Sequence, residues 1–286
     1  MRSTSLEGRR VLITGGARGI GAALAKRLHE RGATVAVAGL EPHLLARVAA
    51  ELEGPWRQAD VSDRAQVDQM VHELVTELGG LDIVVANAGI AKQLPLDGGD
   101  AEVMEQTLAV NTLGVYYTLR AAAPHISHPT GYALTTSSLA AAVQVPLLGA
   151  YSASKAAVEA IGNTLRLELR PSGARVGVAY FAEIDTDMTS RGFGTRAAEV
   201  LTGGGSVTGV APLSSAINAL ERGIARRARR IVAPAWVAPV LPIRMIAQRA
   251  VELRGFPDLP RALQIARDEQ VAFTTEQPAA LHAVSE

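Results

Sequence analysis

Residues 138–155, SLAAAVQVPLLGAYSASK, hold three side chains able to manage a proton: Ser138, Tyr151 and Lys155. A helix beginning at Tyr151 puts Tyr151 and Lys155 on one face, one turn apart. A phenol normally ionises near pH ~10, and an ammonium group close by favours the phenolate and draws that value down. General acid–base catalysis requires such a match to the working pH. Ser138 follows a strand-like run at 132–136, from which its hydroxyl can bond the oxygen whose proton the tyrosine handles. Alone, the same letters also suit an ordinary helix preceded by a loop serine. The elements that must bring the three residues together carry the decision.

The first of these is RVLIT, residues 10–14, a wholly apolar run of the kind buried on both faces of a parallel sheet. The glycine cluster TGGARGIG follows at 14–21, then a helical pattern that closes at Gly32, an apolar strand at 34–38 and a second helix from Pro42. Strand, glycine turn, helix and strand make one βαβ unit, whose first turn presents backbone N–H groups and a helix N-terminus to a pyrophosphate. Further strand-like runs at 81–86, 132–136, 175–181 and 229–234 alternate with helical patterns. The fold class expected is α/β: a doubly wound parallel sheet, Rossmann-like, with helices on both faces and a helical C-terminal extension.

The turn glycines are Gly15, Gly19 and Gly21, spaced G-x-x-x-G-x-G rather than G-x-G-x-x-G. With Tyr-x-x-x-Lys downstream, this spacing resembles the short-chain dehydrogenases/reductases, in their single-domain branch, over residues 6–232. The resemblance implies that Tyr151 is the general acid/base, with Ser138, Lys155 and Asn111 completing the catalytic set. It assigns cofactor contacts to Gly15, Arg18, Gly19, Ile20 and Gly21 in the turn, and to Tyr151 and Lys155 at the ribose. It adds Asp60 and Val61 at the adenine, Asn87, Ala88 and Gly89 after the fourth strand, and Ile184 and Thr186 at the carboxamide. Asp60 also reads as a cap for a helix starting at Ser62. Asn111 sits inside a helical pattern, where asparagine is poorly suited. The resemblance makes it a local break in a proton relay; the alternative is a solvent-facing side chain. Two departures stand out: Ala86 replaces the first asparagine of the family's Asn-Asn-Ala-Gly, and Phe181 and Ala182 replace its Pro-Gly.

Lys and Arg number 28 against 28 Asp and Glu, so no net field recruits nucleic acid or an anionic membrane. There is no cysteine, which removes thiolate catalysis and disulfides, and no His/Asp/Glu cluster has metal-ligand spacing. The opening residues show no signal-like apolar core, so a cytoplasmic protein is expected. His125 and His128, without an evident acidic partner, read as surface residues. The expected lining of the site is Val143, Val145, Pro146, Leu147, Leu148 and Met188. Such walls suit a small apolar alcohol or its carbonyl partner. A nicotinamide-binding regulator without turnover, or an epimerase or dehydratase on the same fold, are the rival functions.

The expected cofactor is NADP or NAD. About twenty residues past the glycine turn an NAD enzyme generally has an acid, but Gly39 stands there, and Arg18 can pair with a 2′-phosphate. Both lean toward NADP, whereas Leu40 and Glu41 weigh against it. Three segments are expected: a nicotinamide-binding and catalytic domain at 1–233, an apolar, helical extension at 234–273 and a loosely ordered tail at 274–286. Within the first, the glycine-rich stretch 188–209 reads as a lid. The extension is expected to cover the pocket or a subunit contact, with a membrane-surface role as the lesser alternative. Small residues on the Asn111 and Tyr151 helices suggest a homodimer or homotetramer.

Overall fold

In the computed structural model, which describes residues 5–192, 194–206, 208–269 and 271–273, the first apolar run forms β1 (Arg10–Thr14) at the centre of the sheet. Its side chains alternate between two faces, as a strand requires. Val11 and Ile13 join Leu24, Leu28, Val35 and Leu220 in one apolar layer. Leu12 joins Val71, Leu74, Val84, Leu119 and Val158 in the other. Burial on both sides explains why the strands read as unbroken apolar runs.

The chain continues through α1 (Gly19–His29), β2 (Thr34–Gly39), α2 (Pro42–Leu52), β3 (Trp56–Gln58) and α3 (Arg64–Leu78). It then crosses to the other side of β1 with β4 (Ile83–Ala86), α4 (Ala101–Leu108), α5 (Gly114–Ile126), β5 (Tyr132–Thr136), α6 (Gly149–Glu168) and β6 (Arg175–Phe181). A short α7 (Arg196–Thr202), α8 (Leu213–Ala225) and β7 (Arg230–Ala233) complete an all-parallel sheet ordered β3-β2-β1-β4-β5-β6-β7. The reversal of winding between β1 and β4 opens a crevice at their carboxyl ends, where ligands of such sheets bind.

Two expectations are corrected. Asp60 does not cap a helix at Ser62: its Oδ1 accepts bonds from the Ser62 N–H and hydroxyl, at 2.8 and 2.7 Å, in a local turn. The cap is Asp63, which accepts from the N–H groups of Ala65 and Gln66 and starts α3 at Arg64. His128 is not merely a surface residue: its Nε2 lies 3.1 Å from the Leu81 carbonyl and 3.9 Å from Asp82. The glycine-rich stretch is partly regular, with one π-helical turn at Met188–Gly192 and then α7, whose N-cap is Thr195.

Beyond β7 come α9 (Val237–Val240), α10 (Arg244–Arg254) and α11 (Leu259–Asp268). Val237 and Leu241 pack with Leu139, Ala142 and Tyr180. Arg244 reaches Glu159 on α6 with two bonds, of 2.7 and 3.1 Å. Glu269 accepts the first N–H groups of α7, from Arg196 and Ala197. The tail 274–286 lies outside the described residues.

At the amino ends of the central strands Asp82, 7% exposed, fastens β1 to β4. Its carboxylate accepts from the Arg10 backbone N–H (3.0 Å), Nε (2.9 Å) and NH2 (3.2 Å). Burial pushes the carboxyl pKa up, but the Arg10 bonds and the Arg10 and Arg9 charges outweigh it and hold it below the ordinary value. Asp82→Asn should cost about 1–2 kcal/mol at neutral pH. A carboxylate whose folded pKa is depressed contributes fully above its unfolded pKa and loses that contribution as pH falls through the folded one. The wild-type advantage in urea denaturation should therefore shrink with acidification below pH ~4; an advantage independent of pH would contradict the assignment.

Candidate active site

One cavity of about 640 Å³ runs across the carboxyl ends of the central strands. All the predicted site residues line it except Gly21 and Asn111, which stand directly behind its wall.

The cofactor half begins where β1 ends. Gly15 turns the chain at φ +66°, and a Cβ there would lie 2.8 Å from the Ala88 Cα. A side chain at Gly21 would overlap the Gly15 carbonyl. Glycine is required at both positions for backbone to approach backbone. The Thr14 hydroxyl accepts from the N–H groups of Asn87 (3.1 Å) and Ala88 (3.3 Å), and Asn87 Nδ2 donates to the Thr14 carbonyl (3.2 Å). These bonds lock the ends of β1 and β4 together, and Ala86 in place of asparagine leaves them intact. The N-terminus of α1, with Gly19 and Ile20, thus faces a smooth cradle floored by Ala88 and Gly89. The shape, the glycines and the exposed helix end fit the pyrophosphate of a dinucleotide. Asp60 and Val61 stand at the far end of this half, and Ile184 and Thr186 close over it, with Thr186 3.8 Å from a Cβ built on Gly19.

Phe181 continues β6 in register with Ala233, and the Ala182 N–H donates to the Ala233 carbonyl at 3.0 Å. The loop after it rejoins the body through Asp185 N–H to Ala211 (2.8 Å). The departure from Pro-Gly therefore leaves Ile184 and Thr186 on the cavity wall. Arg18 is not free: its guanidinium pairs with both carboxylate oxygens of Glu41 and reaches Asp187 at 3.3 Å.

The chemical half is assembled from α6, the loop after β5 and a deformed helix. Between α4 and α5 the chain makes one turn of π-helix, Ala109–Leu113, and Asn111 is its centre, fully buried. Its Oδ1 accepts the Ile90 N–H (2.8 Å), and its Nδ2 donates to the Ile90 carbonyl (2.9 Å) and to Ser154 Oγ (3.0 Å). Ser154, which the spacing rules did not single out, passes the link to the Tyr151 carbonyl at 2.7 Å. Lys155 Nζ donates to the Thr136 carbonyl (2.9 Å) and sits 5.5 Å from the Tyr151 ring centre. The Ser138 hydroxyl bonds the Tyr151 phenol and the Phe181 carbonyl (3.3 Å).

Burial dominates the ionisation of this set. It raises the Tyr151 phenol to about 12 despite the lowering bond from Ser138, and lowers Lys155 to about 8. The expected downward pull of Lys155 on the phenol is therefore overridden by desolvation in this protein. The substrate side is apolar as expected, with Val143, Val145, Pro146, Leu148 and Met188 on the wall. Leu147 is the exception. It turns inward at φ +69°, 3% exposed, and its carbonyl accepts the Leu94 N–H at 2.8 Å. Trp236, Val240, Ala247 and Val251 of the extension add to the same wall, a role the sequence left open among three.

The fold, the glycine turn and the Ser138, Tyr151 and Lys155 cluster define a dinucleotide-binding oxidoreductase scaffold. Residues 9–197 match the short chain dehydrogenase family, and the chain belongs to that family. It is 32% identical over 194 residues to 2,3-dihydro-2,3-dihydroxybenzoate dehydrogenase of Bacillus subtilis, covering 66% of this chain and 74% of that one. It is 31% identical over 195 residues to L-2,3-butanediol dehydrogenase of Corynebacterium glutamicum, covering 62% of this chain and 76% of the relative. Among solved structures, a short chain dehydrogenase from Burkholderia cenocepacia in complex with NADP superposes with a TM-score of 0.71 at 31% identity, over 80% of this chain and 97% of that one. The fold is also that of a short chain dehydrogenase/reductase from Burkholderia phymatum in complex with NAD, with a TM-score of 0.76 at 23% identity, over 88% and 97% of the two chains. The protein is accordingly an NAD(P)-dependent oxidoreductase acting on CH–OH groups. Among the described residues no helix is long and apolar enough to cross a membrane.

The buried ammonium supplies a test in the cofactor-free protein. Because the folded Lys155 pKa lies below its unfolded value, the unfolded chain binds the extra proton between pH ~8 and ~10.5. The lysine's contribution to stability is present above the unfolded value and lost as pH falls through the folded one. Lys155→Met should therefore stabilise the cofactor-free protein at neutral pH by about 1–3 kcal/mol. The gain should disappear as pH rises through this window. Urea titrations at pH 7 and near the unfolded value check it; a variant less stable than wild type at pH 7 would contradict it.

Proposed function

We propose that the protein interconverts an apolar alcohol and its ketone or aldehyde, with Tyr151 as the general acid/base. The observation that supports this most is the convergence of Ser138, Tyr151 and Lys155 at the meeting point of a dinucleotide cradle and an apolar cleft. When bound, the nicotinamide supplies or removes a hydride at the substrate carbon. Tyr151 gives the proton to the carbonyl oxygen during reduction and takes it back during oxidation. Ser138 donates a hydrogen bond to the same oxygen as charge develops there. Lys155 holds the ribose hydroxyls of the cofactor, and its ammonium opposes the phenol's burial-raised pKa once the two share a ligand. Asn111, through Ile90 and Ser154, fixes the turn from which these groups project. A non-catalytic nicotinamide sensor would have no use for this alignment.

Tyr151→Phe keeps the ring and removes the proton donor, so kcat should fall by roughly 10²–10⁴. Cofactor affinity should be nearly unchanged. Near-normal turnover in this variant would overturn the assignment.

The sequence leaned toward NADP, but the pairing of Arg18 favours NAD. A 2′-phosphate would have to displace Glu41 from the guanidinium and would meet the Glu41 and Asp187 carboxylates. A ribose hydroxyl can instead donate to Glu41. NADH should be preferred over NADPH by at least about tenfold in kcat/KM, and Glu41→Ala should free Arg18 and reverse or erase the preference. NADPH preference in the wild type would contradict this reading. We further expect a homodimer or homotetramer built on the π-helical turn, α5 and α6, where Leu113, Tyr116 and Leu167 are 44, 47 and 70% exposed.

A further inference from the structure

The charged side chains lining the cavity differ in how they are held. At the cofactor end Arg18 is engaged by Glu41 and Asp187, and Asp60 by Ser62. Lys155 donates to Thr136, and Glu183 accepts from the Thr208 hydroxyl at 3.1 Å. Among the charged lining residues described, Arg254 alone has neither a hydrogen bond nor an ion pair.

Its place is set by the helix that carries it. Arg254 is the last residue of α10, where the helix dipole favours a cation without neutralising it. It shares a face with Ala247 and Val251, at i, i+4 and i+7, and that face lines the cavity. The first turns of α10 are pinned to the chemical half: Gln248 accepts the Gln144 N–H at 2.8 Å, in the loop following Ser138, and Arg244 is bound to Glu159 on the Tyr151 helix. From Gln248, Arg254 lies about 9 Å further along the helix. An unpaired, solvent-exposed guanidinium thus borders the same cavity whose lining includes the Ser138, Tyr151 and Lys155 cluster and the apolar Val143, Val145 and Pro146. A guanidinium in that position is suited to a planar carboxylate, which it binds with two parallel N–H bonds.

We propose that Arg254 forms an anion subsite, and that the substrates are alcohols or ketones with an apolar body and a carboxylate remote from the reacting carbon. The identity of the ligand as substrate rests on the oxidoreductase reading above; the subsite itself does not. Trp236 lines the same cavity and reports occupancy by fluorescence, with Trp56→Phe as background. In that background, decanoate should bind at least about tenfold more tightly than 1-decanol. Arg254→Gln should remove the difference, and Arg254→Lys should restore part of it. Equal binding of the two probes, or a difference that survives Arg254→Gln, would overturn the subsite.

Turnover separates the two readings. 9-Oxodecanoate should show a KM at least about tenfold below that of 2-decanone, with Arg254→Gln raising only the KM of the acid and leaving kcat in place. Reduction of both ketones with KM values indifferent to Arg254→Gln overturns the subsite and leaves the oxidoreductase reading standing. Selective decanoate binding without reduction of either ketone keeps the subsite and counts against these compounds as substrates.

Discussion

The side chain of Asn111 makes three hydrogen bonds in a place closed to water: two to the backbone of Ile90 and one to Ser154. An amide buried with its bonds satisfied is rigid, because breaking any one leaves a polar atom desolvated at about 1–3 kcal/mol. This amide joins the stretch after β4, which floors the cofactor cradle, to α6, which carries Tyr151 and Lys155. The same join is tightened where a Cβ on Gly89 would lie 3.2 Å from Asn111 Oδ1 and 3.4 Å from Lys155 Nζ. The π-helical turn that carries Asn111 is the local departure from regular helix that this join requires.

Around that fixed point the site is held in tension. Tyr151 and Lys155 are both taken out of water, and each is pushed toward its neutral form. Leu147 adopts a left-handed backbone conformation beside them, a conformation that costs of order 1 kcal/mol or more for a branched residue. Here the surrounding sheet, with apolar layers on both faces, over-determines them.

Most of this was legible in the sequence because it rests on local signals. Unbroken apolar runs announced the parallel strands, and the glycine spacing at 15, 19 and 21 announced the cradle. Asn111 stood out as a residue unsuited to its helix. What stayed hidden depends on long-range geometry. The Arg18–Glu41 pair joins residues 23 apart, and nothing in either neighbourhood shows that one will neutralise the other. The desolvation of Tyr151 follows from packing, so the expectation of a lowered phenol pKa, drawn from the Lys155 spacing alone, missed the larger effect. The helical extension was expected, but the link of its last helix, α11, to α7 runs through Glu269, 73 residues from Arg196, and no local signal shows it. The shift of the α3 cap from Asp60 to Asp63 is a choice between two aspartates three residues apart, decided by which one meets free N–H groups.

The central claim is that this cradle and this tyrosine serve hydride transfer and not nicotinamide binding alone. Its most direct test is isotopic: the protein is incubated with NADH dideuterated at C4 and apolar ketones, and the alcohols formed are read by mass spectrometry. The account predicts one deuterium per molecule at the carbinol carbon, whichever face of the ring delivers it. Cofactor bound stoichiometrically, with no deuterium in any product, would contradict it.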